Sequence, residues 1–278
     1  MQDFRKTLPD FTENNLKRNI TEVETKSIKS TLPIFDRRAH HGGLRAIISP
    51  DDYKGFRNKY LDIMINNLVI SQLPPTCSKI LDFGCGNGRL VEALAETSAE
   101  EITGVDISKN MLKYARKKDY GKTKVRFKKI PPTPPCKLKK NFYDAVTCTW
   151  VFQHIGDDQV VGQILRQLYR SIIPGGIVII FDRISTKRFY DFFGEQFFLV
   201  VRTPEEEIQL AQTAGFELAR QKFVHTKDKF WQKFLSKDLL PFWEKLIPFM
   251  VWWDMNLSSH KPPVQEERVE CLFVFRKP

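Results

Sequence analysis

Three glycines within five positions, in the stretch "KILDFGCGNGRL" at residues 79–90, constrain this chain more than any other feature. Glycine inside a strand or helix is destabilising by about 0.5–1 kcal/mol relative to alanine, so a cluster of three needs a backbone reason. Lys79-Ile80-Leu81-Asp82-Phe83 has the length and apolar content of a buried parallel strand, and Leu90, Val91, Leu94 and Ala95 then recur at helical spacing. Gly84, Gly86 and Gly88 therefore mark a strand-to-helix turn. The free N–H groups of such a helix start point at whatever lies above the strand end, and without Cβ atoms a ligand can approach the backbone closely. A nucleotide-type site is the expectation.

The next strand supplies the second half of that site. Glu101 to Asp106 reads as a strand ending in an acid 22 residues beyond Gly84, close to the roughly 20-residue offset of a carboxylate that takes ribose hydroxyls. The turn is G-x-G-x-G rather than G-x-G-x-x-G and has no G-K-[ST] ending, which argues against NAD and ATP.

Together these residues resemble the first motif of class I S-adenosylmethionine (SAM) dependent methyltransferases, met residue by residue at 81–88. "GVDISKNMLKYARKK" is similar to that family's second strand and helix. "FYDAVTCTWVFQHIGDD" and "LYRSIIPGGIVIIFD" resemble its fourth and fifth strands with the helix between. The resemblance covers about residues 53–225 plus the final strand. It implies SAM as cofactor and S-adenosylhomocysteine as product. Gly84 and Gly86, with Asp82, Cys85 and Asn87 of the same motif, would admit the methionine portion; Asp106 would hold the ribose, Ile107 and Met111 would flank the adenine, and Thr149 to His154 would face the methyl. In relatives resembling the ubiquinone-biosynthesis O-methyltransferases an arginine in the helix before the first strand reaches the SAM carboxylate, and Arg57 matches that position. One departure is Ile130-Pro131-Pro132, where the family usually offers the adenine amine an acidic or polar residue.

The fold implied is α/β, a doubly wound Rossmann-like sheet of seven strands whose last strand inserts antiparallel, with SAM over the strand C-termini at the switch point between the first and fourth strands. Strands are expected at 79–83, 101–106, 124–129, 143–149, 176–182, 216–224 and 269–275. At 278 residues, 42% hydrophobic and 28% charged, the chain has the make-up of a globular domain with room for elaboration. Residues 1–50 read as a polar N-terminal extension and 51–278 as the methyltransferase domain. Aromatic-rich helical caps are expected at about 183–203 and 226–262, where "KRFYDFFGEQFFLV" and "KFWQKFLSKDLLPFWEKLIPFMVWW" lie; Phe230/Phe234 and Trp243/Ile247 have the spacing of short amphipathic helices. A lid over the strand ends, a pocket wall and a membrane-contact surface all remain open for them.

His154 is the most informative chemical residue, since an imidazole titrating near neutrality can take a proton from an acceptor hydroxyl or ammonium. A histidine that only hydrogen-bonds the loop or the cofactor is the alternative. No carboxylate follows Thr149 until Asp157, so no metal site is expected. Five cysteines lack C-x-x-C or zinc spacing and read as reduced thiols. The net charge of +11 invites a nucleic-acid partner, but the basic run at 128–141 has no interleaved aromatics for base stacking, and the Asn/Asp-Pro-Pro-Tyr/Phe stretch of base-methylating enzymes is missing after the fourth strand. A nucleic-acid partner is therefore not favoured. The absence of an 18-residue apolar run and of an apolar N-terminal signal points to a cytoplasmic enzyme. The reading is methyl transfer to a hydroxyl of a small-molecule or saccharide acceptor. N-methylation of an amine remains open because "WVFQHIGDDQ" also resembles protein α-N-terminal methyltransferases, as does a catalytically silent SAM-fold subunit.

Overall fold

The computed structural model describes residues 32–193, 197–226, 231, 243–257, 261–264 and 267–278. Its centre is a seven-stranded sheet in the order β3-β2-β1-β4-β5-β9-β8. The strands are β1 (Lys79–Phe83), β2 (Glu101–Asp106), β3 (Lys124–Lys129), β4 (Tyr143–Thr149), β5 (Ile172–Ile184), β8 (Glu217–Val224) and β9 (Val269–Arg276). β1 to β5 run parallel, and β9 lies antiparallel between β5 and β8. The strand order reverses between β1 and β4, which puts the switch point directly above the glycine turn.

The sequence explains which strands are central. β1 is buried along nearly its whole length, whereas β3 at the edge exposes Lys124, Arg126 and Lys128, charges that discourage pairing with another chain. One face of the sheet is covered by α3 (Phe56–Ile70), α4 (Arg89–Ala95), α5 (Lys109–Ala115) and α8 (Trp243–Leu257); the other is covered by α6 (Asp158–Ser171) and α7 (Pro204–Thr213). Before them come α1, described over residues 32–38, and α2 (Gly43–Ile47). Start signals are visible in the contacts: Asp52 accepts from Gly55 N and Asn58 N at the head of α3, Asp157 caps α6, and α7 opens with a Thr203–Glu206 capping box and Pro204. All five cysteines are buried and free.

The first of the two insertions departs from the expectation of a helical cap. It is a β-hairpin, β6 (Phe189–Phe193) paired antiparallel with β7 (Phe197–Val201). Its run of phenylalanines and valines suits a pleated surface better than a helix, and β-branched and aromatic propensity outweighed the apparent helical spacing. The second includes α8, which packs on α3 rather than over the strand ends. Asp254 of α8 accepts from Tyr60 Oη, and also from Trp231 Nε1 at 2.8 Å, while Ile247, Met250 and Val251 join the core beneath α3. The Phe230/Phe234 pair lies outside the described residues. Among the described residues no helix is long and apolar enough to cross a membrane.

Candidate active site

The glycine turn has the backbone its composition demands, with φ of +78° at Gly84 and +53° at Gly86. A Cβ would lie 2.5 Å from Val151 Cγ2 at the first and 2.6 Å from Ile47 Cδ1 at the second, so a side chain would be strained by conformation and would push on those neighbours. Gly84 N and Cys85 N both donate to Val105 O, at 2.8 and 3.0 Å, which ties the turn to β2. At the end of β2, Asp106 accepts from Gly86 N at 2.8 Å through Oδ2 and from Ser108 N at 2.7 Å through Oδ1. Burial pushes its carboxyl up to about 6 despite those two N–H donors. Each oxygen keeps lone-pair capacity for a further donor, such as a sugar hydroxyl.

A cavity of about 560 Å³ opens above this turn. Eight of the residues expected from the sequence line it: Arg57, Gly84, Gly86, Asp106, Ile107, Met111, Thr149 and His154. Ile130, Pro131 and Pro132 line the same cavity, so the departure after β3 presents apolar contact and backbone there instead of a polar side chain. Asp82, Cys85 and Asn87 are not in the wall. Asp82 lies beneath it, accepts from Thr147 Oγ1 at 2.8 Å, and is likewise pushed up to about 6 by burial. The Cys85 sulfur packs under β2 against Gly104. Asn87 donates through Nδ2 to Gly43 O at 2.7 Å, holding α2 over the turn.

That roof is the main feature the sequence did not disclose. Phe35, Arg38, Ile47 and Ile48, all within the polar stretch before Asp51, line the cavity. Phe35 meets the His154 ring edge-on, with centroids 5.1 Å apart. Asp36 accepts from Ser108 Oγ, and Arg38 Nη2 donates to Ile48 O at 3.1 Å. The only hint in the sequence is Gly42-Gly43 between two short apolar clusters. The hairpin and β5 add Leu199 and Arg183 to the wall, whereas the described residues of α8 add nothing to it.

Two further wall residues carry constraint. Trp150 has φ +55°, a conformation costly for a bulky side chain. Its indole N–H donates to Glu270 Oε2 at 2.9 Å, and Arg183 closes on the same carboxylate at 2.9 Å. Gln153 is buried, and its Oε1 has no partner among the described residues. A buried amide oxygen in a cavity wall calls for a donor from whatever fills the cavity. No cluster of His, Cys, Asp or Glu among the described residues could hold a metal ion.

Residues 81–180 match the family model "Methyltransferase domain". The chain is 34% identical over 104 residues to a ubiquinone biosynthesis O-methyltransferase of Leptothrix cholodnii, covering 37% of this chain and 43% of that protein. It is 30% identical over 154 residues to the same-named enzyme of Hydrogenovibrio crunogenus, covering 55% and 56%. Over residues 81–180 the chain carries a methyltransferase domain of the class I SAM-dependent type. The match thus spans about half the length of these relatives. Among solved structures, a SAM-dependent methyltransferase from Leishmania major superposes with a TM-score of 0.58 at 13% identity, covering 91% of this chain and 82% of that one. SAM is the methyl donor of this methyltransferase family, and the glycine cradle beside the half-satisfied oxygens of Asp106 fits its nucleoside.

Proposed function

We propose that this methyltransferase moves the methyl group of SAM to a hydroxyl oxygen of a small molecule with an apolar body. The observation that carries the reading is the continuity of one cavity from Gly86 and Asp106 to Thr149, Gln153 and His154. One end is built for a nucleoside, with ribose hydroxyls for Asp106, apolar faces at Ile107 and Met111, and Arg57 for a carboxylate. The other end is walled by Phe35, Ile155, Trp150 and Leu199. Such walls favour a flat or aliphatic acceptor over a saccharide, whose hydroxyls need many polar partners. The O-methyltransferase relatives support oxygen as the receiving atom.

When bound, SAM supplies an electrophilic methyl on a sulfonium. The residues of this chain hold the two reactants in line and exclude water, which accounts for most of the acceleration in such transfers. His154 takes the acceptor's hydroxyl proton on a ring nitrogen as the oxygen becomes nucleophilic. The test is His154→Ala. Turnover should fall about 10²- to 10⁴-fold, the usual range for base catalysis, with SAM affinity preserved. A rate held within about threefold would leave proximity alone as the source of catalysis.

A further inference from the structure

Gln153 and His154 sit on a single 3-10 turn, Phe152–His154, between β4 and α6. Its own hydrogen bonds are few: His154 N donates to Val151 O at 3.1 Å, and Ile155 N donates to Phe152 O at 3.0 Å. Most of what holds it lies behind it. Arg202, directly after β7, is fully buried. It donates from Nη1 to Phe152 O at 3.0 Å and from Nη2 to Ile155 O at 2.5 Å, the two carbonyls that bracket Gln153 and His154. The Phe152 N–H goes to the buried carboxylate of Asp182 at 3.2 Å. A planar guanidinium can serve two carbonyls and an acid from one fixed fork, which an ammonium cannot.

We propose that Arg202 is a positioning residue of the active site, fixing through its two carbonyl hydrogen bonds the turn that presents Gln153 and His154 to the cavity. It is not part of the cavity wall and touches no reacting atom. The proposal rests on the reading of His154 given above.

The surroundings of Arg202 support a dedicated device. A fully buried guanidinium is tolerated only when paired, and here Asp158 Oδ1 lies 2.9 Å from Nε while Glu207 Oε1 lies 3.5 Å from Nη1. Arg188 closes the same acid from the other side, Nη1 to Asp158 Oδ2 at 2.5 Å. Burial opposes ionisation of Asp158, but Arg188 and Arg202 outweigh it and hold the carboxyl below its ordinary range. Asp158 also opens α6, so hairpin, helix and turn converge on one ion cluster. The hairpin insertion thereby gains a role as the strut that delivers Arg202 to the back of the turn.

The experiment compares the wild type with Arg202→Lys and Arg202→Met, each saturated with S-adenosylhomocysteine. Amide hydrogen exchange over residues 152–156 should accelerate by about tenfold, the worth of a hydrogen bond to a charged group, while β4 and β5 amides keep their protection. By NMR, the titration midpoint of His154 should move. S-adenosylhomocysteine affinity should stay within about threefold, since the cradle is untouched. Unchanged exchange in the turn, or protection lost equally across the sheet, would overturn the proposal, as would an unmoved His154 midpoint. Arg202→Lys keeps the buried charge, so it supplies the reading if Arg202→Met does not fold. If His154→Ala proves silent in turnover, the general-base role fails by itself, because the exchange result does not depend on it.

Discussion

Replacing Asp106 with alanine isolates the contact on which nucleoside binding turns. In the wild type its two oxygens are fixed by Gly86 N at 2.8 Å and Ser108 N at 2.7 Å, which leaves lone pairs aimed into the cavity for the ribose. Hydrogen bonds to a charged group are worth about 1.5–3 kcal/mol, so Asp106→Ala should weaken S-adenosylhomocysteine binding by about 10- to 150-fold at neutral pH. The fold should survive, because the carboxylate is buried and raised to about 6, so its ionised form already costs stability near neutrality. That shift also sets a pH signature. The carboxylate is the form that takes hydroxyl donors, so wild-type affinity should be full above about pH 6 and fall as pH drops through that value. The variant should lack this component. Calorimetric titrations of both proteins between pH 5 and 8 supply the check. An affinity within about threefold of wild type at neutral pH would place the ribose elsewhere, since a lost charged hydrogen bond exceeds that.

Asp82 gives a matching stability prediction. Its folded-state pKa of about 6 lies above the ordinary 3.8, so folding favours its protonated form; this contribution is full below the ordinary value and is lost as pH rises through about 6. Asp82→Asn should therefore be more stabilising relative to wild type at pH 7.5 than at pH 4.5 in thermal melts, and a gap of constant size would refute the burial argument. Asn87→Ala removes the bond to Gly43 O. It should speed tryptic cleavage after Arg45 without lowering the melting temperature appreciably, and unchanged cleavage would mean α2 is held by packing alone. Methyl transfer should persist in EDTA, with loss restored by magnesium as the contrary result.

How much of this was legible in the sequence depends on how local the signal is. β1, β2 and β4 fall where the apolar runs place them, because parallel central strands are buried on both faces and their pattern is continuous. The glycine turn and Asp106 were readable because a backbone requirement and a fixed offset leave few alternatives. Asp82, Cys85 and Asn87 share that motif yet lie behind the cavity wall, where they hold Thr147, β2 and α2. Sequence adjacency in a turn does not say which way a side chain faces. Phe35 and Ile47 were hidden because the polar, mixed-charge stretch before Asp51 shows no sustained apolar repeat. The hairpin was misread as helical because short aromatic runs satisfy either period. Arg202 had no signal at all, since its partners Phe152 and Ile155 are about 50 positions away and are reached only through the folded backbone.

The claim that most needs measurement is transfer of a methyl to oxygen. SAM carrying a carbon-13 methyl, incubated with the protein and a panel of apolar phenols, alcohols and amines, reports the receiving atom through the chemical shift of the product methyl. An O-methyl signal from a phenol or alcohol should grow with enzyme and collapse in His154→Ala. An N-methyl signal from the amines alone would contradict it.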